Sequence, residues 1–264
     1  MFLEILILGA LQGVLEWLPI SSKGNLVLLM FYFLGIDAAT ALELSIFLHT
    51  GTLLSAALYF RKELTEMLSS LRGGATHNDS RRLLVFLFTA TILTGLTGFP
   101  LFLLAKATAA IGEGFIALTG TALILIGLLE RTGGRIKGLR TTSNLRTKDA
   151  AVVGLAQGFS ALPGVSRSGI TTTILLIKGF KGDEALRLSF LLSIPAVLSA
   201  EIGTTALYGL PPFSWETLLF AVVAAFSSSL VSIHLLMRLA KKTKLWLLCL
   251  LLGALSLIPL LGYV

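Results

Sequence analysis

The chain has 264 residues, 55% of them hydrophobic and 13% charged, with a formal net charge of +7 and a single cysteine. A water-soluble domain carries about 25% charged residues, so this composition excludes a surface that faces water throughout; with a mean hydropathy of +0.90 it points to a polytopic membrane protein. The positive balance does not imply nucleic acid, because the basic residues sit in short loops between apolar runs, where they set topology.

Residues 2–18 are apolar but interrupted by Gly9, Gly13 and Glu16, and residues 19–24 break the run before a second apolar piece that ends near Gly35. Neither piece reaches the ~20 apolar residues of a full span. Two half-helices meeting at a re-entrant turn fit better, and such a turn is tolerated at depth only when buried in protein or lining a cavity. The opening Met1-Phe2-Leu3-Glu4 has no basic n-region and is read as mature protein rather than a signal peptide. Residues 41–60 are predicted to span, followed by a loop to residue 82 that holds Arg61, Lys62, Arg72, Arg81 and Arg82 and is expected to be cytoplasmic. Residues 83–105 then lead outward and 114–130 return, to a loop over 131–148 with six basic residues, also expected to be cytoplasmic.

The second break follows. Residues 150–162 enter, Pro163 to Gly169 turn, and 170–177 leave beside Lys178, Lys181 and Arg187. Spans are predicted over 185–208, 215–237 and 245–262, the last containing Cys249, which as the only cysteine excludes an intrachain disulfide or a cysteine-based metal site. The expected fold is an all-α polytopic membrane protein, one integral membrane domain over 1–264. It is read as two inverted-topology repeats, approximately 1–130 and 149–264, each a re-entrant half-helix pair plus three transmembrane helices, joined by the basic loop. The motif of the first break recurs in the second: Gly9, Gln12, Gly13, Leu18, Pro19, Ser21 and Gly24 are echoed by Gly154, Gln157, Gly158, Leu162, Pro163, Ser166 and Gly169. Broken segments in matching places of two inverted halves point to a midplane binding site.

Ser21, Ser22, Lys23 and Gly24 precede one half-helix, and Ser166, Arg167, Ser168 and Gly169 precede the other. Half-helix N-termini offer free N–H groups and positive dipole ends. With Lys23 and Arg167 added, two converging termini suit a group with several negative oxygens, such as a diphosphate; the plainer role for the serines is N-capping. Gln12 and Glu16 share one helix face. Glu16 could act as a general base, orient water or hold a divalent cation, or it could form a structural ion pair with Arg167 or Lys23. His49, inside a span, could carry protons, act as a nucleophile or simply pack. Glu201, also inside a span, has no assigned role.

At residues 12–24 and 163–169 the chain resembles the undecaprenyl-diphosphate phosphatase family, also called the bacitracin-resistance protein family, over essentially its full length. The resemblance implies a multi-pass cell-membrane hydrolase that removes the terminal phosphate of a C55 polyprenyl diphosphate and so recycles the lipid carrier for cell-envelope glycan synthesis. It implies an active site open to the outer face and a divalent cation such as Mg2+ or Ca2+, for which Glu16 is the candidate ligand on the residue reading above; a homodimer is compatible with it. By position, the family's acidic motif falls on Gln12 and Glu16 and its serines on Ser21 and Ser22, while its second motif falls on Ser166, Arg167, Ser168 and Gly169, followed by Thr171. Ser22 then serves as nucleophile or phosphate ligand. Asn25 stands where many members have a histidine, and it cannot act as acid, base or nucleophile: His49 or Glu16 takes over, the mechanism needs no histidine, or activity is altered. The competing class is a polyprenyl-phosphate flippase or transporter built on the same anion site.

Overall fold

The structure is a computed structural model that describes residues 1–71, 78–109 and 138–242. The expected spans over 114–130 and 245–262, the latter with Cys249, lie outside the described residues. Within them are nine α-helices: α1 (Phe2–Leu15), α2 (Ser22–Leu34), α3 (Ala38–Tyr59), α4 (Arg61–Ser70), α5 (Asn78–Ala109), α6 (Thr147–Gln157), α7 (Arg167–Ile177), α8 (Gly182–Tyr208) and α9 (Trp215–Lys242). Four of them, α3, α5, α8 and α9, are long and apolar enough to cross a membrane. At 1.5 Å per residue, α1, α2, α6 and α7 reach only about 17–21 Å, short of the ~30 Å hydrocarbon core. The two broken segments are therefore pairs of short helices, as the sequence predicts.

Local chemistry sets each break. Pro19 disfavours helix at Leu18, and α1 ends at Leu15. The chain restarts where the Ser21 hydroxyl accepts the Gly24 N–H and caps α2. In the second segment α6 gives way to a 3₁₀ turn over Gly158–Ala161. Gly164 then takes φ +89, the left-handed region open to glycine, and Ser166 caps α7 by accepting the Gly169 N–H. Ser21 and Ser166 thus cap the second helix of each broken segment, the plainer role the sequence offered them.

Small residues let the short helices sit tightly on the long ones. Gly9 and Gly13, four apart on α1, lie against the α9 backbone at Ala221 and Ala225. Gly154 and Gly158 do the same against α5, at Ala90 and Thr97–Gly98. Close backbone approach of this kind drives helix association in membranes, where lipid tails are as apolar as the core. One apolar cluster gathers about Trp17, Phe86, Phe180 and Phe190, and a second about Ile5, Leu26, Met30 and Leu44. Outward-facing side chains such as Phe33, Phe88, Leu96, Ile202 and Leu219 remain exposed, a surface suited to lipid.

The segment after α3 is a helix, α4, rather than the loop expected from its charges. Its Leu64 and Met67 recur three residues apart on one face and pack on the core near Phe60, while Arg61 and Lys62 stay outside. Three basic segments meet on one side of the bundle: Arg82 donates to the Ser143 carbonyl, Arg187 pairs with Glu63 at 3.7 Å, and Arg140 donates to the Lys178 carbonyl.

Candidate functional site

The two breaks, 143 residues apart in sequence at Ser21 and Gly164, are joined directly. Ser21 Oγ, which caps α2, also accepts the Gly164 N–H at 3.1 Å. The Ser168 hydroxyl donates to the Leu18 carbonyl at 2.7 Å. Lys23 Nζ donates to the carbonyls of Ser160 and Ala161 at 2.9 and 3.0 Å. Arg167 donates from Nη2 to Glu16 Oε1 at 2.7 Å and from Nη1 to the Ser189 carbonyl at 3.1 Å. Each break thus supplies partners that the other lacks, and the N-termini of α2 and α7 are pinned side by side.

Glu16 is the hub. Its Oε2 accepts from Gln12 Nε2 at 2.9 Å, from the Ser22 hydroxyl at 2.6 Å and from His49 Nε2 at 3.0 Å. His49 Nδ1 lies 2.6 Å from the Ser45 carbonyl. Both ring nitrogens therefore face oxygens that only accept, and the ring satisfies both when it carries both protons. Trp17 backs the cluster: its indole N–H donates to Ser229 at 2.7 Å, its ring packs edge-on to Phe190, and the Arg167 guanidinium lies 5.7 Å from it. Arg167 Nε is buried with no hydrogen-bond partner among the described residues, which leaves a donor for a ligand. Of the two pairings the sequence offered Glu16, Arg167 is the one formed.

A cavity of about 260 Å³ opens from this cluster. Glu16, Ser21, Ser22, Lys23, His49 and Arg167 line its polar end. From there it runs between α5 and α8, along Gly95, Phe99 and Phe102 on one side and Ala200, Gly203 and Leu207 on the other. These recur at three- to four-residue intervals, one face of each helix. A Cβ at Gly95 or Gly203 would meet nothing within 4 Å, so the cleft is open beside both glycines.

Several expected site residues stand behind the wall. Gln12 positions Glu16, and the Asn25 amide donates to the Ser21 carbonyl at 2.8 Å. Gly24 lets the second break approach, since a Cβ there would sit 2.8 Å from Gly164 N. Thr171 bonds the Arg167 carbonyl at 2.7 Å and lies 2.6 Å from the Ser189 hydroxyl. Ser166 and Gly169 form the α7 cap, with Ser166 also at the cavity surface. The sequence analysis names Gln157 and Glu201 without giving either a place in the site, and both line the cavity. Gln157 had a signal, its match to Gln12. Glu201 had one too, an acidic residue inside an apolar span.

The donor set does not fit a resident divalent cation. Glu16, the expected ligand, is ringed by four hydrogen-bond donors, one of them a guanidinium. No group of three or more His, Cys, Asp or Glu among the described residues could hold a metal.

Residues 5–258 match the family described as bacitracin resistance protein BacA. The chain belongs to that family. Among relatives of the BacA family, the undecaprenyl-diphosphatase of Methanothrix thermoacetophila is 42% identical over 97% of this chain and 95% of its own. That of Methanococcoides burtonii is 41% identical over 96% of both, and that of Haloarcula marismortui 36% over 97% and 96%. In this member the BacA motifs, read separately along the chain, converge on Glu16.

Proposed function

We infer that this chain hydrolyses undecaprenyl diphosphate to the monophosphate and inorganic phosphate, returning the lipid carrier for reuse. One observation carries the reading: the polar cluster of the two breaks closes one end of a cleft whose other end is apolar and runs between two long membrane helices. A headgroup with several negative oxygens and a long prenyl tail together match those two ends. The names of the 36–42% identical relatives support the same substrate.

The terminal phosphate lies over Ser22, at the first turn of α2, with Arg167 Nε, the remaining Lys23 proton and the two half-helix N-termini around its oxygens. Phosphoryl transfer needs positioning and charge stabilisation above all, and these groups supply both. Ser22 Oγ attacks the terminal phosphorus, and the proton it already donates to Glu16 passes to that carboxylate. His49 and Gln12 hold Glu16 in place for the transfer. The paired glycines and the equivalent Ser21 and Ser166 caps support reading the halves as inverted repeats. The gathering of basic segments on one side supports a site that opens toward the opposite, outer face.

31P NMR of a C55 diphosphate incubated with the purified protein tests the function. The expected products are inorganic phosphate and the lipid monophosphate; substrate that stays bound and unchanged would favour transport instead. The cleft makes its own prediction. Gly203→Leu fills it, so kcat/KM for the C55 substrate should fall by about 10-fold or more, the order that one apolar fit decides. A short-chain prenyl diphosphate should be affected less, and equal losses for both would show that the tail lies elsewhere.

A further inference from the structure

Five titratable side chains line the cavity: Glu16, Lys23, His49, Arg167 and Glu201. Four make the contacts already given, Arg167 keeping its Nε unpartnered, with Glu16 Oε2 taking three donors and His49 using both nitrogens. Asn25 has its amide on the Ser21 carbonyl and offers no proton chemistry. Glu201 is different. Its Oε1 is buried and has no hydrogen-bond partner among the described residues, while the carboxyl sits beside Thr50 and faces His49.

Its place along the cleft is informative. A substrate whose terminal phosphate rests on Ser22 and Arg167 has its bridging oxygen on the tail side of that phosphorus. Glu201 is on α8, in sequence between Ser189, whose carbonyl meets Arg167, and the cavity-lining Gly203, Thr204 and Leu207. With Oε1 unpartnered among the described residues, the carboxyl keeps one oxygen free to carry a proton toward a ligand. Carrying that proton, it approaches a diphosphate without repulsion and has a proton to give.

We propose that Glu201 is the general acid that protonates the leaving lipid phosphate and then the base that activates the hydrolytic water. The proposal rests on the hydrolase reading above. In the first step the Ser22 Oγ–P bond forms and the bridging P–O bond breaks; Glu16 takes the seryl proton and Glu201 gives its proton to the departing oxygen. In the second, water attacks the phosphoseryl phosphorus and loses a proton to Glu201, while the Ser22 Oγ–P bond breaks and Glu16 returns its proton to Ser22. Both carboxyls end as they began, and one water has been consumed.

The test is steady-state hydrolysis of C55 diphosphate by the native chain, Glu201→Gln and Glu201→Met, beside equilibrium binding of a methylene-bridged prenyl diphosphonate. Both variants keep the side-chain length, and the Met form reads the same loss if the Gln form does not fold. The expected result is a kcat lower by about 10²-fold, the usual worth of a general acid, with KM and analogue affinity within about threefold of native. A native kcat in either folded variant would overturn the assignment, as would a loss in analogue affinity as large as the loss in kcat. A native chain that releases no phosphate would instead remove the hydrolase reading itself.

Discussion

Arg167→Ala should reduce phosphate release from C55 diphosphate by about 10³-fold, the order lost when one charge-stabilising group leaves a phosphoryl-transfer site. Arg167 joins the second break to Glu16 of the first, and its Nε has no hydrogen-bond partner among the described residues. Its loss removes charge from the transferring phosphoryl group and also leaves Glu16 held by His49, Ser22 and Gln12 alone. Breaking a buried pair by removing one partner costs about 3–5 kcal/mol, so the variant should also unfold at lower temperature. Arg167→Lys restores the charge but not the fork that serves Glu16 and the Ser189 carbonyl together. It should regain stability more than activity. Kinetics and thermal unfolding measured on the same preparations separate the two effects.

The second large effect is on stability. Gly13→Leu should destabilise the protein by about 3 kcal/mol, at the upper end of overpacking costs. A Cβ at Gly13 would come within 2.7 Å of Ser229 N and closer still to the Ala225 carbonyl and Ser228 hydroxyl. Two of these are backbone atoms that cannot swing aside, so α1 must lift from α9. That would break the Ser228 bond to the Ala10 carbonyl and pull Trp17 from Ser229, loosening the support behind Arg167. Gly95→Ala is the control, because nothing lies within 4 Å of its Cβ and unfolding should be unchanged. Thermal unfolding in detergent measures both.

What was legible in the sequence followed from period and punctuation. The half-helices could be read because Pro19, Pro163 and the flanking serines mark the breaks, and the apolar pieces are too short to span. Lys23 and Arg167 stood out because charge at membrane depth needs a partner. The partners themselves were less accessible. Lys23 turns to the carbonyls of Ser160 and Ala161 rather than to Glu16, and carbonyls carry no signature in sequence. His49 joins Glu16 across 33 residues only because α3 passes beside the first break. The cleft between α5 and α8 was invisible for the same reason: Gly95 and Gly203 read as ordinary small residues until the two helices face each other. α4 was misread as a loop because its charges masked the spacing of Leu64 and Met67.

The central claim is that the two breaks form one reacting site through Glu16 and Arg167. A double-mutant cycle on kcat tests it most directly, with Glu16→Gln, Arg167→Lys and the pair, each assayed for phosphate release from C55 diphosphate. If the residues act as a unit, each single change costs about 10²-fold and the double variant costs little more than the worse single. Losses that multiply to about 10⁴-fold would mean that the residues act independently, and would contradict the account.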